Sequence, residues 1–183
     1  MKIMSFVNWV SLTVIGMLAN IVFVILTPFA VLFVTNDEHL PKWLSWLDTP
    51  DNKLAAQIAD RPFPEHDTRL KRYVNYVFWL CRNRGYGLSE TVLGFTVEPG
   101  FTYSCIGDEA VGNKPLHEGL VRRYLTSGGT TYWQWYYIKA WGPAKWRRCI
   151  RINMGWKLWG NPQAGDRISI VCSPSPWQGY LRG

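Results

Sequence analysis

The clearest structural signal in the chain is the stretch VRRYLTSGGTTYWQWYYIKAW, residues 121–141. Two runs rich in apolar and aromatic residues, 121–126 and 132–141, flank residues 127–130, which include two adjacent glycines. Runs of this kind separated by a short glycine turn are typical of a β-hairpin. We therefore expect two antiparallel strands here.

Further strands are expected on both sides of this hairpin, because similar runs are bounded by glycine and proline turns. They cover residues 91–97, 101–106, 146–154 and 167–172, whereas the tail with Pro174, Pro176 and Trp177 is predicted to be irregular. A helix is expected from Asp67, its predicted N-cap, and a short one over residues 54–59. The predicted fold is α+β: an N-terminal transmembrane helix followed by a small antiparallel β-meander domain with one packed helix.

The N-terminal helix is predicted from the absence of charge between residues 3 and 34. A helix needs about 20 apolar residues to cross a bilayer, and this run is longer. A cleaved signal peptide would have a shorter apolar region and a small-residue cleavage site, which the sequence lacks. A buried core helix is the other alternative. We expect a transmembrane anchor over residues 1–35, a juxtamembrane amphipathic segment and linker over 36–66, and an α+β soluble domain over 67–183.

The juxtamembrane segment carries Lys42, Trp43 and Trp46 in a pattern that suits a short helix lying along lipid headgroups. Packing of the same residues on the soluble domain is an equally good interpretation. We expect a single-pass membrane protein. Lys2 favours a cytoplasmic N-terminus, whereas the basic composition and scattered cysteines of the soluble part favour the cytoplasmic side for that part. Of the two, we favour the cytoplasmic side for the soluble part.

Charge and cysteine spacing restrict the chemistry further. The net charge of +7 makes anionic lipid, nucleic acid or an acidic protein plausible partners.

The four cysteines are far apart, without the close pairs typical of structural zinc sites, so no metal and no cofactor are expected. Single buried thiols are favoured over two disulfides. They are Cys81, Cys105, Cys149 and Cys172.

The densest functional candidate is the aromatic run around residue 135. Alternation places Trp133, Trp135 and Tyr137 on one face of a strand, and Arg147 and Arg151 follow nearby. One aromatic row is expected to be partly exposed and to form an interaction surface with these arginines. Three alternatives remain: an aromatic core with cation–π pairs, contact with lipid headgroups, and stacking on a single-stranded nucleic acid.

Candidate catalytic groups are confined to one loop, which carries Asp108, Glu109, His117 and Glu118. Such groups could serve a membrane-tethered hydrolase acting on lipid or cell wall, provided that they converge in a pocket. No nucleophile elbow, zinc-protease, phosphate-loop or dinucleotide motif is present in the sequence. We therefore favour solvated loop charges and assign no catalytic residue.

Two segments resemble a family of small, uncharacterised membrane-anchored proteins of tailed bacteriophages and prophages. They are WLSWLDTPDN, residues 43–52, and WLCRNRGYG, residues 79–87, and both follow the N-terminal apolar helix as in that family. The resemblance implies a phage origin and a location in the inner (cytoplasmic) membrane of the bacterial host, and it supplies no catalytic residues.

The sequence thus favours a membrane-anchored, non-enzymatic phage accessory protein that modifies the host envelope or binds a membrane-proximal partner. Superinfection exclusion, defence evasion and lysis control are the expected settings. The expected partners are the lipid bilayer and a protein, and a nucleic acid is disfavoured.

Overall fold

The computed structural model describes residues 3–49, 53–54, 62–63, 65, 68–112, 117–143, 147–160 and 162–179. The helices in these ranges are α1 (Ile3–Ala30), α2 (Arg69–Arg82) and α3 (Tyr86–Thr91), with short 3-10 helices at Val31–Phe33 and Lys42–Leu44. The strands are β1 (Phe95–Thr96), β2 (Thr102–Gly107), β3 (Gly119–Ser127), β4 (Thr130–Trp141), β5 (Arg148–Trp156), β6 (Arg167–Ile168) and β7 (Ile170–Gly179). The α+β class predicted from the sequence is confirmed.

The main sheet has five antiparallel strands in the order β2-β3-β4-β5-β7. Its centre is the predicted hairpin, in which Ser127 pairs with Thr130 across the turn. Gly128 and Gly129 both have positive φ, 54° and 74°, which a two-residue turn between twisted strands requires. β1 and β6 form a separate two-stranded sheet.

The chain divides into two compact units. Unit 1 comprises Met1–Thr13 and Thr96–Gly183, and unit 2 comprises Val14–Phe95. These ranges differ from the predicted domain boundaries, since α1 contributes residues to both units and α2 belongs to the same unit as residues 36–49.

In unit 1 one face of the main sheet is covered by apolar side chains. The buried cluster there comprises Val111, Val121, Tyr136, Ile138 and Cys149. Val111 comes from the loop after β2, and the other four come from β3, β4 and β5. This loop therefore closes the buried face of the sheet.

In unit 2 the core forms between α2, the last turns of α1 and the segment that joins them. Its buried residues are Phe23, Ala30, Val31, Leu40, Leu44, Leu47, Leu54, Tyr76, Trp79 and Leu80. Asp48 organises the joining segment, because its carboxylate accepts the backbone N–H groups of Leu40 at 3.0 Å and Thr49 at 2.8 Å. Trp79 of α2 donates its ring N–H to the Thr49 hydroxyl at 3.1 Å.

Three local predictions were wrong. Thr68 caps α2, since its side chain accepts the backbone N–H of Lys71; Asp67, the predicted cap, lies outside the described residues. Most of the predicted strand over 91–97 is absent, because the chain turns at Gly85 (φ 72°) and forms α3 first. The tail expected to be irregular is β7, whose prolines are accommodated because β7 is an edge strand. The predicted helix over residues 54–59 lies almost wholly outside the described residues.

Candidate functional site

The central strand β4 presents two different rows of side chains. Trp135 pairs with Arg122 of β3, which in turn pairs with Ile106 of β2, so these three residues form one row across the sheet. Trp133 and Tyr137 lie on the same face as Trp135, because side chains alternate along a strand. Gln134 and Tyr136 lie on the opposite, buried face.

Trp133 is part of the core of unit 1. Only 3% of its surface is exposed, because the first turns of α1 lie over it. Its ring stacks on Phe6 with centroids 6.1 Å apart and meets the edge of Trp9 at 5.2 Å. Trp156 contacts it as well, at 6.2 Å. Trp133 therefore has too little exposed surface to contact a partner extensively.

Trp135 is different, since 47% of its surface is exposed. The Arg122 guanidinium lies 5.4 Å from the centroid of the Trp135 ring, within the range of a cation–π contact. Apolar side chains on the same face are also exposed: Ile106, Leu120 and Ile150. We call this set of residues, Ile106, Leu120, Arg122, Trp135, Tyr137 and Ile150, the open face.

The two arginines predicted to border the aromatic row lie elsewhere. Arg151 is on the buried side of the sheet, with its guanidinium 5.3 Å from the ring centroid of Tyr136. Arg147 donates to the Glu118 carboxylate at 2.8 Å, and Lys139 lies 3.4 Å from the other oxygen of the same carboxylate. The five predicted surface residues Trp133, Trp135, Tyr137, Arg147 and Arg151 thus do not share one surface.

The Glu118 carboxylate is held in its ionised form. Partial desolvation raises its pKa, but the backbone N–H of Ala140 and the charged groups of Lys139 and Arg147 outweigh this effect and lower the pKa from 4.5. Glu118 is therefore committed to an ion-pair network at the side of the sheet. Its side-chain partners there are the cations Lys139 and Arg147.

Of the other three candidate catalytic groups in the loop, Asp108 and His117 form a pair. His117 Nε2 lies 2.7 Å from the Asp108 carboxylate, and both side chains are about half exposed, at 53% and 44%. Glu109 is exposed, and its backbone carbonyl accepts a hydrogen bond from Arg123 at 2.9 Å. The structure brings together two of the four predicted groups, Asp108 and His117.

Arg123 belongs to a buried polar network that the sequence analysis missed. It is 3% exposed and donates to Gln134 Oε1 at 3.1 Å and to the Val111 carbonyl at 3.1 Å. Gln134 in turn donates to Asn153 Oδ1 at 2.9 Å, and both amides are fully buried. This network fixes the register of β3, β4 and β5 beneath the open face. The sequence signal for this network was the alternation of side chains along β3, which puts Arg123 on the buried face and Arg122 on the other face.

The predicted membrane-interface residues take different positions in unit 2. Trp43 is 63% exposed, and its ring meets the exposed Phe33 ring edge-on at 5.4 Å. Trp46 is half-buried, with its ring 5.1 Å from that of Phe23. Lys42 is exposed and is the first residue of the 3-10 helix that contains Trp43. Trp46 thus packs on the protein, while Lys42 and Trp43 face outward.

The N-terminal helix is long and apolar enough to cross a membrane, with a mean hydropathy of 2.4 over its most apolar window. Only 22% of that window is buried within the protein. Exposed large side chains along it include Val14, Met17, Leu18, Ile21, Ile25 and Phe29. Apolar surface on this scale is uncommon on soluble monomers and is typical of interaction with lipid or protein.

The four cysteines are free thiols, but the expectation that they are buried holds only for Cys149, since Cys81 and Cys105 are half-buried and Cys172 is exposed. Cys149 is fully buried, and desolvation raises the pKa of its thiol above 9.0 although Arg151 opposes the shift. Among the described residues no three histidine, cysteine or acidic side chains lie close enough together to hold a metal ion.

Residues missing from the sequence-based surface are Ile106, Leu120, Arg122 and Ile150. The sequence signal for them was the alternation of β3, because Leu120 and Arg122 fall on the opposite face from Val121 and Arg123. What the sequence did not reveal is that the first turns of α1 cover Trp133 and leave Trp135 open.

None of the curated proteins and none of the solved structures compared with the chain matches it significantly. A family model matches residues 1–182, which is nearly the whole chain. The protein therefore belongs to the family of unknown function DUF7338.

Proposed function

We propose that the protein is a membrane-attached, non-enzymatic accessory protein of bacteriophage origin that binds a membrane-proximal protein through the open face. The attachment is made by α1 to the cytoplasmic membrane of the bacterial host, with unit 1 on the cytoplasmic side. The role of such a protein is to alter the host envelope, as in superinfection exclusion, defence evasion or lysis control.

The observation that carries the proposal is the exposure of Trp135 together with its arginine and apolar neighbours. Tryptophan, tyrosine and arginine are the residue types that most often dominate binding at protein interfaces. Trp135 is 47% exposed with Arg122 at 5.4 Å, and Ile106 beside them is 58% exposed. An aromatic anchor with a cation and an apolar margin suits a partner surface that is apolar at its centre and acidic at its rim.

Rigidity supports the same interpretation. The open face lies on four paired strands, and the Arg123–Gln134–Asn153 network joins three of them, β3, β4 and β5, on the opposite face. A surface held in this way loses little conformational freedom when it binds, and that reduces the entropic cost of association.

The test is site-specific photo-crosslinking in the bacterial host, with the full-length protein carrying a photoreactive phenylalanine at position 135. The matched control carries the same group at position 159, because Trp159 is 40% exposed but lies beside Tyr136, on the buried side of the sheet. We expect a defined protein adduct from position 135 that the control does not give, and that Arg122→Ala reduces.

Equal adducts from both positions would overturn the proposal, as would adducts that consist only of lipid. Binding of single-stranded nucleic acid is checked with the purified protein. Affinity that falls steeply with salt and depends on Trp135 would favour that alternative.

A further inference from the structure

The part of α1 in each unit is covered by protein on one side. Residues at helical spacing are buried or half-buried, and those between them are exposed. The covered residues are Ser5, Trp9, Leu12, Thr13, Gly16, Ala19, Asn20, Phe23, Thr27, Pro28 and Ala30. In each unit the part of α1 that belongs to it therefore has a protein-facing side and an exposed side.

At the beginning of α1 the covering is made by the main sheet of unit 1. Ser5 Oγ donates to the Thr131 carbonyl at 2.7 Å, and Trp9 Nε1 donates to the Val171 carbonyl at 3.1 Å. Trp9 is only 5% exposed. These contacts join the first turns to strands that follow far later in the sequence.

At the end of α1 the covering is made by residues of unit 2. Phe23 is 3% exposed within the core around α2, and the Tyr73 hydroxyl donates to the Pro28 carbonyl at 3.0 Å. Between these points, a Cβ at Gly16 would touch Leu93, and one at Gly85 would overlap the Asn20 side chain. Segments that follow α1 in the sequence thus contact both its beginning and its end.

A helix that crosses a bilayer cannot keep both sets of contacts. α1 has 28 residues, which is about 42 Å at 1.5 Å per residue, longer than the hydrocarbon core of about 30 Å. Crossing would place Ser5 and Pro28 on opposite sides of the membrane. The chain after α1 emerges on one side only, so the contacts of Ser5 and Trp9 or those of Phe23 and Pro28 would have to break.

We propose that α1 lies in the plane of the membrane, with its exposed side embedded in one leaflet and both of its ends on the same side. This inference rests on the membrane attachment proposed above and replaces the single crossing expected from the sequence. An in-plane helix normally turns a polar side to water, whereas the corresponding side of α1 is covered by the protein itself.

The chemistry of the helix favours lipid over a second protein copy. The exposed side has no charged residue between Ile3 and Val34, whereas protein interfaces keep a polar rim. Four of the six polar side chains in this run, Ser5, Thr13, Asn20 and Thr27, lie on the covered side. At the end of the helix the exposed Phe33–Trp43 pair with Lys42 provides aromatic and cationic groups that suit the headgroup region.

The experiment uses the full-length protein with one epitope tag ahead of Met1 and a different tag after Gly183, expressed in bacteria. Right-side-out spheroplasts and inverted membrane vesicles are treated with protease, and each tag is followed by immunoblot. A double-tagged protein known to cross the membrane once is the control for opposite sides, and a cytoplasmic enzyme reports leakage. We expect both tags to sediment with membranes and to be digested from the same side.

Digestion of the two tags from opposite sides would overturn the in-plane arrangement and leave the proposed membrane attachment intact. Recovery of both tags in the soluble fraction would overturn the attachment and the in-plane arrangement together. A soluble dimer that is lost when Leu18 and Ile21 are substituted would also overturn both the attachment and the in-plane arrangement. It would identify a second copy of the chain as the occupant of the exposed side.

Discussion

Trp9 and Trp133 lie edge to face with ring centroids 5.2 Å apart, and both are almost completely buried, at 5% and 3% exposure. This contact joins the second turn of α1 to the central strand of the main sheet within unit 1. The aromatic row of β4 therefore has two functions along its length: Trp133 stabilises the fold, and Trp135 remains accessible.

The first prediction separates these two tryptophans. We expect Trp133→Ala to lower the free energy of unfolding by about 3–5 kcal/mol, because it leaves a cavity among Phe6, Trp9 and Trp156. Trp135→Ala should cost about 1 kcal/mol or less, since it removes an exposed ring and one cation–π contact. Denaturant melts of the full-length protein in mild detergent check this, and equal losses in both variants would contradict it.

The second prediction concerns the buried amide of Gln134. Gln134→Leu leaves an Arg123 N–H and the Asn153 carbonyl oxygen without their partner in the core. A buried polar group without a hydrogen bond costs about 1–3 kcal/mol, so the variant should unfold at clearly lower denaturant concentration. Gln163→Leu is the matched control, because Gln163 is exposed. An unchanged midpoint for Gln134→Leu would show that the network contributes nothing to stability.

The third prediction is an order of thiol reactivity. Desolvation raises the pKa of both thiols, so the difference between them is access: Cys172 is exposed, whereas Cys149 is fully buried. Because the reagent must reach the sulfur, maleimide at pH 7 should label Cys172 in the folded protein and Cys149 only after unfolding. Peptide mass spectrometry of the labelled protein identifies the sites. Early labelling of Cys149 would mean that the sheet opens readily.

The fourth prediction follows from the buried tyrosines. Burial raises the pKa of Tyr103, Tyr132 and Tyr136 above 10.0, and nearby arginines only partly oppose this for Tyr103 and Tyr136. With rising pH the phenols of the unfolded chain ionise first, so stability should be fully present below about pH 10 and decline above it.

Denaturant midpoints at pH 8 and at about pH 10.5 measure this decline, and Tyr136→Phe should reduce it. A midpoint that stays constant over this interval would show that the three phenols titrate as they do in the unfolded chain.

The fifth prediction concerns orientation in the membrane. With unit 1 on the cytoplasmic side, a C-terminal fluorescent protein should be fluorescent and a C-terminal alkaline phosphatase inactive. Phosphatase activity would place unit 1 in the periplasm, where the four free thiols would meet an oxidising environment.

The sequence predicted the parts of the fold that depend on local patterns. The hairpin at residues 127–130 was predictable because two adjacent glycines adopt the positive φ values of its turn. The helical spacing after residue 67 likewise identified α2. By contrast, α3 was missed because Gly85 reverses the chain into a new helical turn where the residues that follow favour a strand.

The candidate surface was predicted only in part, because exposure depends on tertiary contacts. Alternation placed Trp133 and Trp135 on the same face, yet nothing in that pattern indicates that Phe6 and Trp9 cover only the first of them. Arg151 was assigned to the surface because it is near in sequence, although strand pairing puts it opposite Ile138, on the buried side. Contacts across more than 100 positions cover Trp133, and the pairing of β4 with β5 places Arg151.

The prolines of β7 have a consequence for self-association. Pro174 and Pro176 lie in one outer strand of the five-stranded sheet, and neither can offer an N–H to an incoming strand. β2, the other outer strand, contains no proline. Of the two edges, β2 is therefore the better template for an added strand. Two molecules that joined through β2 would leave only β7 edges outside, and their prolines oppose further growth into a fibril.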